Sequence, residues 1–156
     1  MSPRQIINTI PDDHDQKEIL RDFFLVESGS FTGMQVSSIP MPAKSEMRLY
    51  YIASGKGTAN VLNKTHIVQQ NDVAFQTHQL PVHWTASPEL PMELWWIDLR
   101  GASLSALMRK LSVNDTSPVI NGIYDPRFQR EIKNVVTHYD ALSTADILHI
   151  TVVFSK

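Results

Sequence analysis

Six side chains in this sequence have the types and spacing to build a polar site inside a sheet. Along residues 48–54, strand alternation puts Arg48, Tyr50, Ile52 and Ser54 on one face, opposite Leu49, Tyr51 and Ala53. Along residues 93–99 it puts Leu94, Trp96 and Asp98 on one face, opposite Glu93, Trp95, Ile97 and Leu99. Both first faces mix aromatic rings with charge, an odd composition for a dry core. An unpaired charge there costs several kcal/mol unless it is paired or solvated, as an order of magnitude. A wet cavity lined by Trp96, Trp84, Arg48, Tyr50, Ser54 and Asp98 resolves the conflict. It offers an aromatic face for a sugar ring, with donors and acceptors for its hydroxyls. An Arg48–Asp98 pair holding a filled core is the structural alternative.

Catalytic patterns are missing. The sequence has no Gly-x-Ser-x-Gly, no cysteine and no obvious carboxylate pair. Gly55-Lys56-Gly57 is too short for a phosphate loop and reads as a tight hairpin between strands.

The elements that must position these residues are short strands. From Arg48 to Gly101, runs rich in Tyr, Ile, Val, Phe, Thr and Trp alternate with turn signals. The turns fall at residues 54–57, 62–64, 71–72, around Pro81, and from Ser87-Pro88 to Pro91. Runs this closely spaced leave no room for crossover helices, so neighbours pair antiparallel and close into a small barrel or two-sheet sandwich. Upstream, residues 23–26 read as a first strand and residues 31–39 as a second. The loop Pro40-Met41-Pro42-Ala43-Lys44 leads into the central strands.

After Gly101 the apolar period changes from two to 3.6. Leu104, Leu107, Met108 and Leu111 mark one short helix. Asp125-Pro126 is a good start for a second, with Phe128, Ile132, Val135, Val136 and Tyr139 on one face. Ser143-Thr144-Ala145-Asp146 resembles a capping box before the apolar run 147–154, which could be helix or strand.

The pieces Tyr50-Tyr51-Ile52, Ser54-Gly55-Lys56-Gly57, Asn71-Asp72-Val73, Pro81-Val82-His83-Trp84 and residues 93–101, in this order and spacing, resemble the effector-binding domain of AraC-type bacterial transcription regulators. The resemblance covers most of the chain, residues 20 to 140. It implies a mainly β fold with C-terminal helices (α+β): a cupin-like antiparallel β-barrel or jelly roll followed by two or three α-helices. It also implies three parts: an N-terminal arm over residues 1–20, the barrel over 21–101, and a helical dimerisation segment over 102–156. Trp96 falls where a sugar-sensing member stacks its ligand and Trp84 at a pocket aromatic position. Ser54 stands where that member uses arginine, a departure for which Arg48 on the same face is the candidate substitute.

Many cupins hold a divalent ion with His-x-His, a following Glu and a distant His. Here Met41-Pro42-Ala43-Lys44 occupies the first pair's place, Arg48 stands near the Glu position, and His83 alone survives. No metal site and no cofactor are expected.

Length and composition suit one soluble globular domain: 156 residues, 42% hydrophobic and 19% charged. A formal charge of −2 supplies no basic field for nucleic acid. The start lacks the apolar core of a signal peptide, no apolar run is long enough to span a bilayer, and a cytoplasmic location is expected. The leading expectation is the sensing and dimerisation half of a regulator, taking a sugar-like effector. DNA contact would come only through a C-terminal part this sequence does not contain. A homodimer is expected through Phe128, Ile132, Val135, Val136, Tyr139, Ile147, Ile150 and Phe154. Two alternatives stand beside it: a metal-free cupin enzyme acting on a sugar, and a dimerisation-only module with a filled barrel.

Overall fold

A computed structural model describes residues 4–9, 24–36, 39–101, 104–110, 113–114, 116–123 and 126–137. Ten strands and two helices follow one another in the described residues. The strands are β1 (Arg4–Thr9), β2 (Phe24–Gly33), β3 (Gln35–Val36), β4 (Met47–Ser54), β5 (Lys56–Val61), β6 (Lys64–Gln69), β7 (Val73–Gln76), β8 (His83–Ala86), β9 (Met92–Arg100) and β10 (Val119–Ile120). The helices are α1 (Leu104–Lys110), between β9 and β10, and α2 (Pro126–Thr137).

The strands form two sheets, ordered β1-β2-β9-β4-β7-β10 and β3-β8-β5-β6, with every paired neighbour antiparallel. The chain changes sheet between β4 and β5 at Gly55, whose φ of 85° suits glycine. Between β5 and β6, Leu62 and Asn63 both have positive φ (50° and 63°), the two-residue hairpin geometry that matches strand twist. Asn71, at φ 76°, turns β6 into β7. The next residue, Asp72, accepts backbone N–H bonds from Gln69 and Gly122 and a side-chain bond from Asn121. One buried carboxylate thus ties the β6–β7 turn to the stretch after β10.

The larger sheet is apolar on both faces, which gives two cores. Its inner face and the smaller sheet enclose Tyr50, Ile52, Ala59, Val61, Val68, Trp84, Leu94 and Trp96, among others. Its outer face carries Met47, Leu49, Tyr51, Ala53, Ile97 and Leu99, packed with Leu104 of α1 and Ile132 of α2. The helices therefore cover the back of the sheet that lines the barrel.

Two sequence expectations change here, the strands of residues 23–39 and the place of Ile132. Residues 23–26 and 31–39 are not two strands. β2 runs unbroken through Ser28-Gly29-Ser30, and Gly29 lies opposite Trp96 of β9. Within the expected arm, Arg4–Thr9 is a strand on the edge of the larger sheet, paired with β2. Ile132, expected on a dimer face, is 0% exposed inside the core of its own chain. Phe128, Val135 and Val136 lie along α2, and Tyr139, Ile147, Ile150 and Phe154 lie outside the described residues. No described helix is long and apolar enough to cross a membrane.

Candidate functional site

Register assembles the site in rungs across the inner face of the larger sheet. One rung pairs Glu27 of β2 with Asp98 of β9, Asp98 with Arg48 of β4, and Arg48 with Gln76 of β7. The next carries Gly29, Trp96, Tyr50 and Ala74 in the same order. Trp84 reaches the second rung from β8 in the facing sheet, its ring edge-on to Tyr50 at 5.0 Å between centroids. Five of the six expected residues, Arg48, Tyr50, Trp84, Trp96 and Asp98, thus converge inside the barrel.

Ser54 does not. The β4–β9 register slips between Ile52 and Ser54, an extra residue that brings Ser54 opposite Glu93 instead of continuing the Leu94 face. The bulge turns Ser54 outward, and it is exposed. His83 also points out, alternating with buried Trp84 along β8. Among the described residues no three His, Asp or Glu side chains lie close enough to hold a metal ion.

The expected water-filled hollow is not what surrounds these residues. Arg48, Tyr50, Trp96 and Asp98 are 0% exposed and Trp84 is 2% exposed. The charge conflict is resolved by pairing instead of solvation. Arg48 Nε donates to Asp98 Oδ1 at 2.5 Å and Nη2 to Asp98 Oδ2 at 2.8 Å, a bidentate ion pair. The remaining donors go to Ile39 O at 2.8 Å, Pro40 O at 3.0 Å and the Tyr50 hydroxyl at 3.4 Å. A guanidinium has five N–H groups, and here five contacts engage them. The cation also lies 5.0 Å from the Trp96 ring centroid and 5.8 Å from that of Tyr50.

Burial disfavours the Arg48 charge, but bonding to Asp98 outweighs it and raises its pKa above the usual arginine value. Burial pushes the Asp98 carboxyl up as well, against the pull of Arg48, Ser45 and His78. The short two-point contact favours the ionised form of the pair against this burial. Tyr50 is held neutral by burial and donates to Gln76 Oε1 at 2.9 Å. Ser45 Oγ donates to Asp98 Oδ2 at 3.4 Å, and His78 Nε2 bonds Ser45 O at 2.7 Å. Residues 39–45 are therefore fastened to the buried pair near both ends.

Two donors in this interior have no acceptor. Trp84 Nε1 and Trp96 Nε1 are buried and unpaired. The Trp84 N–H is turned towards the Tyr50 hydroxyl, near enough to lower its pKa a little but outside hydrogen-bond geometry. Trp95, on the outer face, donates to Glu93 Oε1 at 2.7 Å, so its indole is satisfied. Glu27, Gln76, Ser45 and His78 were not singled out from sequence. Glu27 was hidden by a second bulge: Leu25 pairs with Leu99 but Glu27 with Asp98, so one extra residue at Val26 turns Glu27 inward. Burial, then the neighbouring Asp98 charge, raise the Glu27 carboxyl above its ordinary value, and Arg48 offsets this in part.

No family model matches this chain, and neither does any curated protein. Among solved structures it is similar to a cupin protein from Bacteroides fragilis, at 19% identity over 53% of this chain and 70% of that one, TM-score 0.42. It is similar to an RmlC-like cupin protein from Desulfovibrio desulfuricans at 12% identity, covering 61% and 81%, TM-score 0.42. It is also similar to salicylate 1,2-dioxygenase from Pseudoaminobacter salicylatoxidans at 13% identity, covering 58% of this chain but 22% of the dioxygenase, TM-score 0.39.

Proposed function

We propose that this chain is the effector-sensing and dimerisation domain of an AraC-type transcription regulator, and that its barrel takes a small hydroxylated ligand of sugar size. In this reading it is not an enzyme, works in the cytoplasm as a homodimer, and acts on DNA through a linked helix-turn-helix domain. The order of sequence pieces from Tyr50 to Gly101 supports the family. The observation that carries ligand binding is the pair of indole N–H groups, on Trp84 and Trp96, buried without acceptors beside a polar rung. A buried unpaired donor costs about 1–3 kcal/mol, and a hydroxyl or ring oxygen would remove that cost.

Because the surrounding side chains are closed on one another, a ligand has to select a more open barrel. Its apparent affinity is then reduced by the fraction of molecules already open. The same property makes a sensor, since a ligand shifts an equilibrium only by its different affinity for two states. The test is tryptophan emission and melting temperature of the protein against a panel of pentoses and hexoses. A saturable emission change that Trp96→Phe abolishes supports the reading. No change in emission or melting temperature with any sugar at millimolar concentration would remove it. The complete burial of Arg48 and Trp96 favours a second reading, a dimerisation module with a solid barrel. That reading predicts dimeric mass without any ligand response.

A further inference from the structure

Glu27 is the member of the polar rung whose charge Arg48 offsets only in part, without a hydrogen bond to it among the described residues. Two carboxylates, Glu27 and Asp98, face each other across β2 and β9, with a single guanidinium beside them. All five N–H groups of that guanidinium are engaged by Asp98, Ile39 O, Pro40 O and Tyr50. No hydrogen-bond donor meets the Glu27 carboxylate among the described residues. Asp98 is fully buried, whereas Glu27 is 9% exposed, so it lies at the solvent-touched end of the rung. One rung further in stand Trp96 and Tyr50, with Trp84 against them. Arg48 already lies over the rings of Tyr50 and Trp96, and two unpaired indole N–H groups ask for oxygen acceptors.

Resting on the ligand-binding reading above, we infer that Glu27, and not Arg48, is the barrel's charged recognition residue, and that its ligand is an amine on a hydroxylated skeleton, such as an amino sugar. The ammonium group pairs with the Glu27 carboxylate and brings the interior charge to zero. The hydroxyl or ring oxygens accept from Trp84 and Trp96. Arg48 takes no part in binding because it has no donor left to offer. An anionic sugar would add a second surplus charge beside Glu27 and Asp98, and the barrel rejects it.

The experiment is calorimetric titration of the full chain with the 2-amino, neutral and uronic acid forms of glucose, galactose and mannose. At least one amino form should bind about tenfold or more tighter than its neutral counterpart, the value of one charged hydrogen bond. Uronic acids should give no heat. Glu27→Gln should erase the amino preference while leaving binding of the neutral form within about threefold. Uronic acids binding as well as amino forms, or an amino preference that survives Glu27→Gln, would overturn the assignment of Glu27 but leave the barrel a ligand site. If none of the nine sugars binds, both readings fall. Melting temperature gives a readout that needs no ligand: Glu27→Gln and Glu27→Met should each melt higher than wild type, because each removes a carboxylate that burial and the facing Asp98 disfavour. A lower melting temperature for both would identify Glu27 as a structural partner and sink the inference.

Discussion

Breaking the Arg48–Asp98 pair from one side should be far more damaging than removing both charges. Arg48→Met leaves Asp98 at 0% exposure without its ion-pair partner, held only by Ser45 at 3.4 Å and the weaker pull of His78. Stranding one member of a buried pair costs about 3–5 kcal/mol. The same change strips the donor from Ile39 O, at a residue 2% exposed, and adds about 1 kcal/mol or more. Pro40 is exposed and its carbonyl can turn to water, so its loss adds little. Asp98→Asn should cost less, about 3 kcal/mol, because an amide oxygen can still accept from the guanidinium. In a chain of 156 residues about 1 kcal/mol shifts the melting temperature by roughly 2–4 °C. Arg48→Met should therefore melt roughly 8–24 °C lower. The double change Arg48→Met with Asp98→Leu puts apolar groups of similar volume in both places. It should be more stable than Arg48→Met alone, since buried pairs are often no better than an apolar replacement. Urea unfolding reads this directly, with midpoints compared at constant slope. Costs that simply add, with a coupling under about 0.5 kcal/mol, would mean that the two side chains are independent and that pairing does not resolve the charge conflict.

Stability should also respond to pH through Glu27. Its carboxyl is raised in the folded state, so between the ordinary 4.5 and the folded value the folded protein holds a proton that the unfolded chain has lost. Stability therefore falls as pH rises through that window, and Glu27→Gln should flatten the fall in melting temperature; the facing charges of Asp98, Arg48 and His78 remain in both proteins. Leu62 is 54% exposed at φ 50°, a conformation that costs an ordinary residue about 1–2 kcal/mol, so Leu62→Asn should raise the urea midpoint. Gly57→Ala would drive its Cβ into Thr85 O and within 2.8 Å of the Ala86 Cα across the β5–β8 pairing, and should lower stability by roughly 1–3 kcal/mol in the same unfolding assay. Ile132→Asp buries a charge in the chain's own outer core, so it should unfold the protein, seen by circular dichroism, instead of giving a folded monomer in light scattering.

Strand alternation carried the reading of the site as far as the strands stay regular. Arg48, Tyr50, Trp96 and Asp98 sit in uninterrupted stretches of β4 and β9, and their shared face follows from the period of two. Both errors at the site arise at bulges. The extra residue before Ser54 removes that side chain, and the extra residue at Val26 brings Glu27 in. A single inserted residue reverses every face beyond it, and neither -Ile-Ala-Ser- nor -Leu-Val-Glu- announces one in sequence. Ser28-Gly29-Ser30 has the composition of a turn but lies mid-strand, where glycine leaves the face opposite Trp96 free of a side chain. The filling of the hollow was not legible either. Alternation tells which side chains face inward, whereas the Arg48 contacts with Ile39 O and Pro40 O depend on where a loop lands.

The inner face divides into satisfied and unsatisfied groups, and the division separates structural roles from recognition. Arg48, Asp98, Tyr50 and Gln76 bond one another and fasten residues 39–45, so their polarity is consistent with a stable fold. Trp84 Nε1 and Trp96 Nε1 break the rule that buried polar groups are paired, and both lie on or against the rung next to that of Glu27. Sequences that otherwise obey local rules tend to violate them where function requires it. A ligand that neutralises Glu27 also removes a charge that disfavours ionised Asp98, because the two carboxylates raise each other's energy. Occupancy at Glu27 would thereby strengthen the Arg48–Asp98 pair and, through Ile39 O, Pro40 O and Ser45, the hold on residues 39–45. The expected signature is slower amide hydrogen exchange across residues 39–45 when ligand is bound. Exchange there that is unchanged at saturating ligand would disconnect the binding rung from that segment.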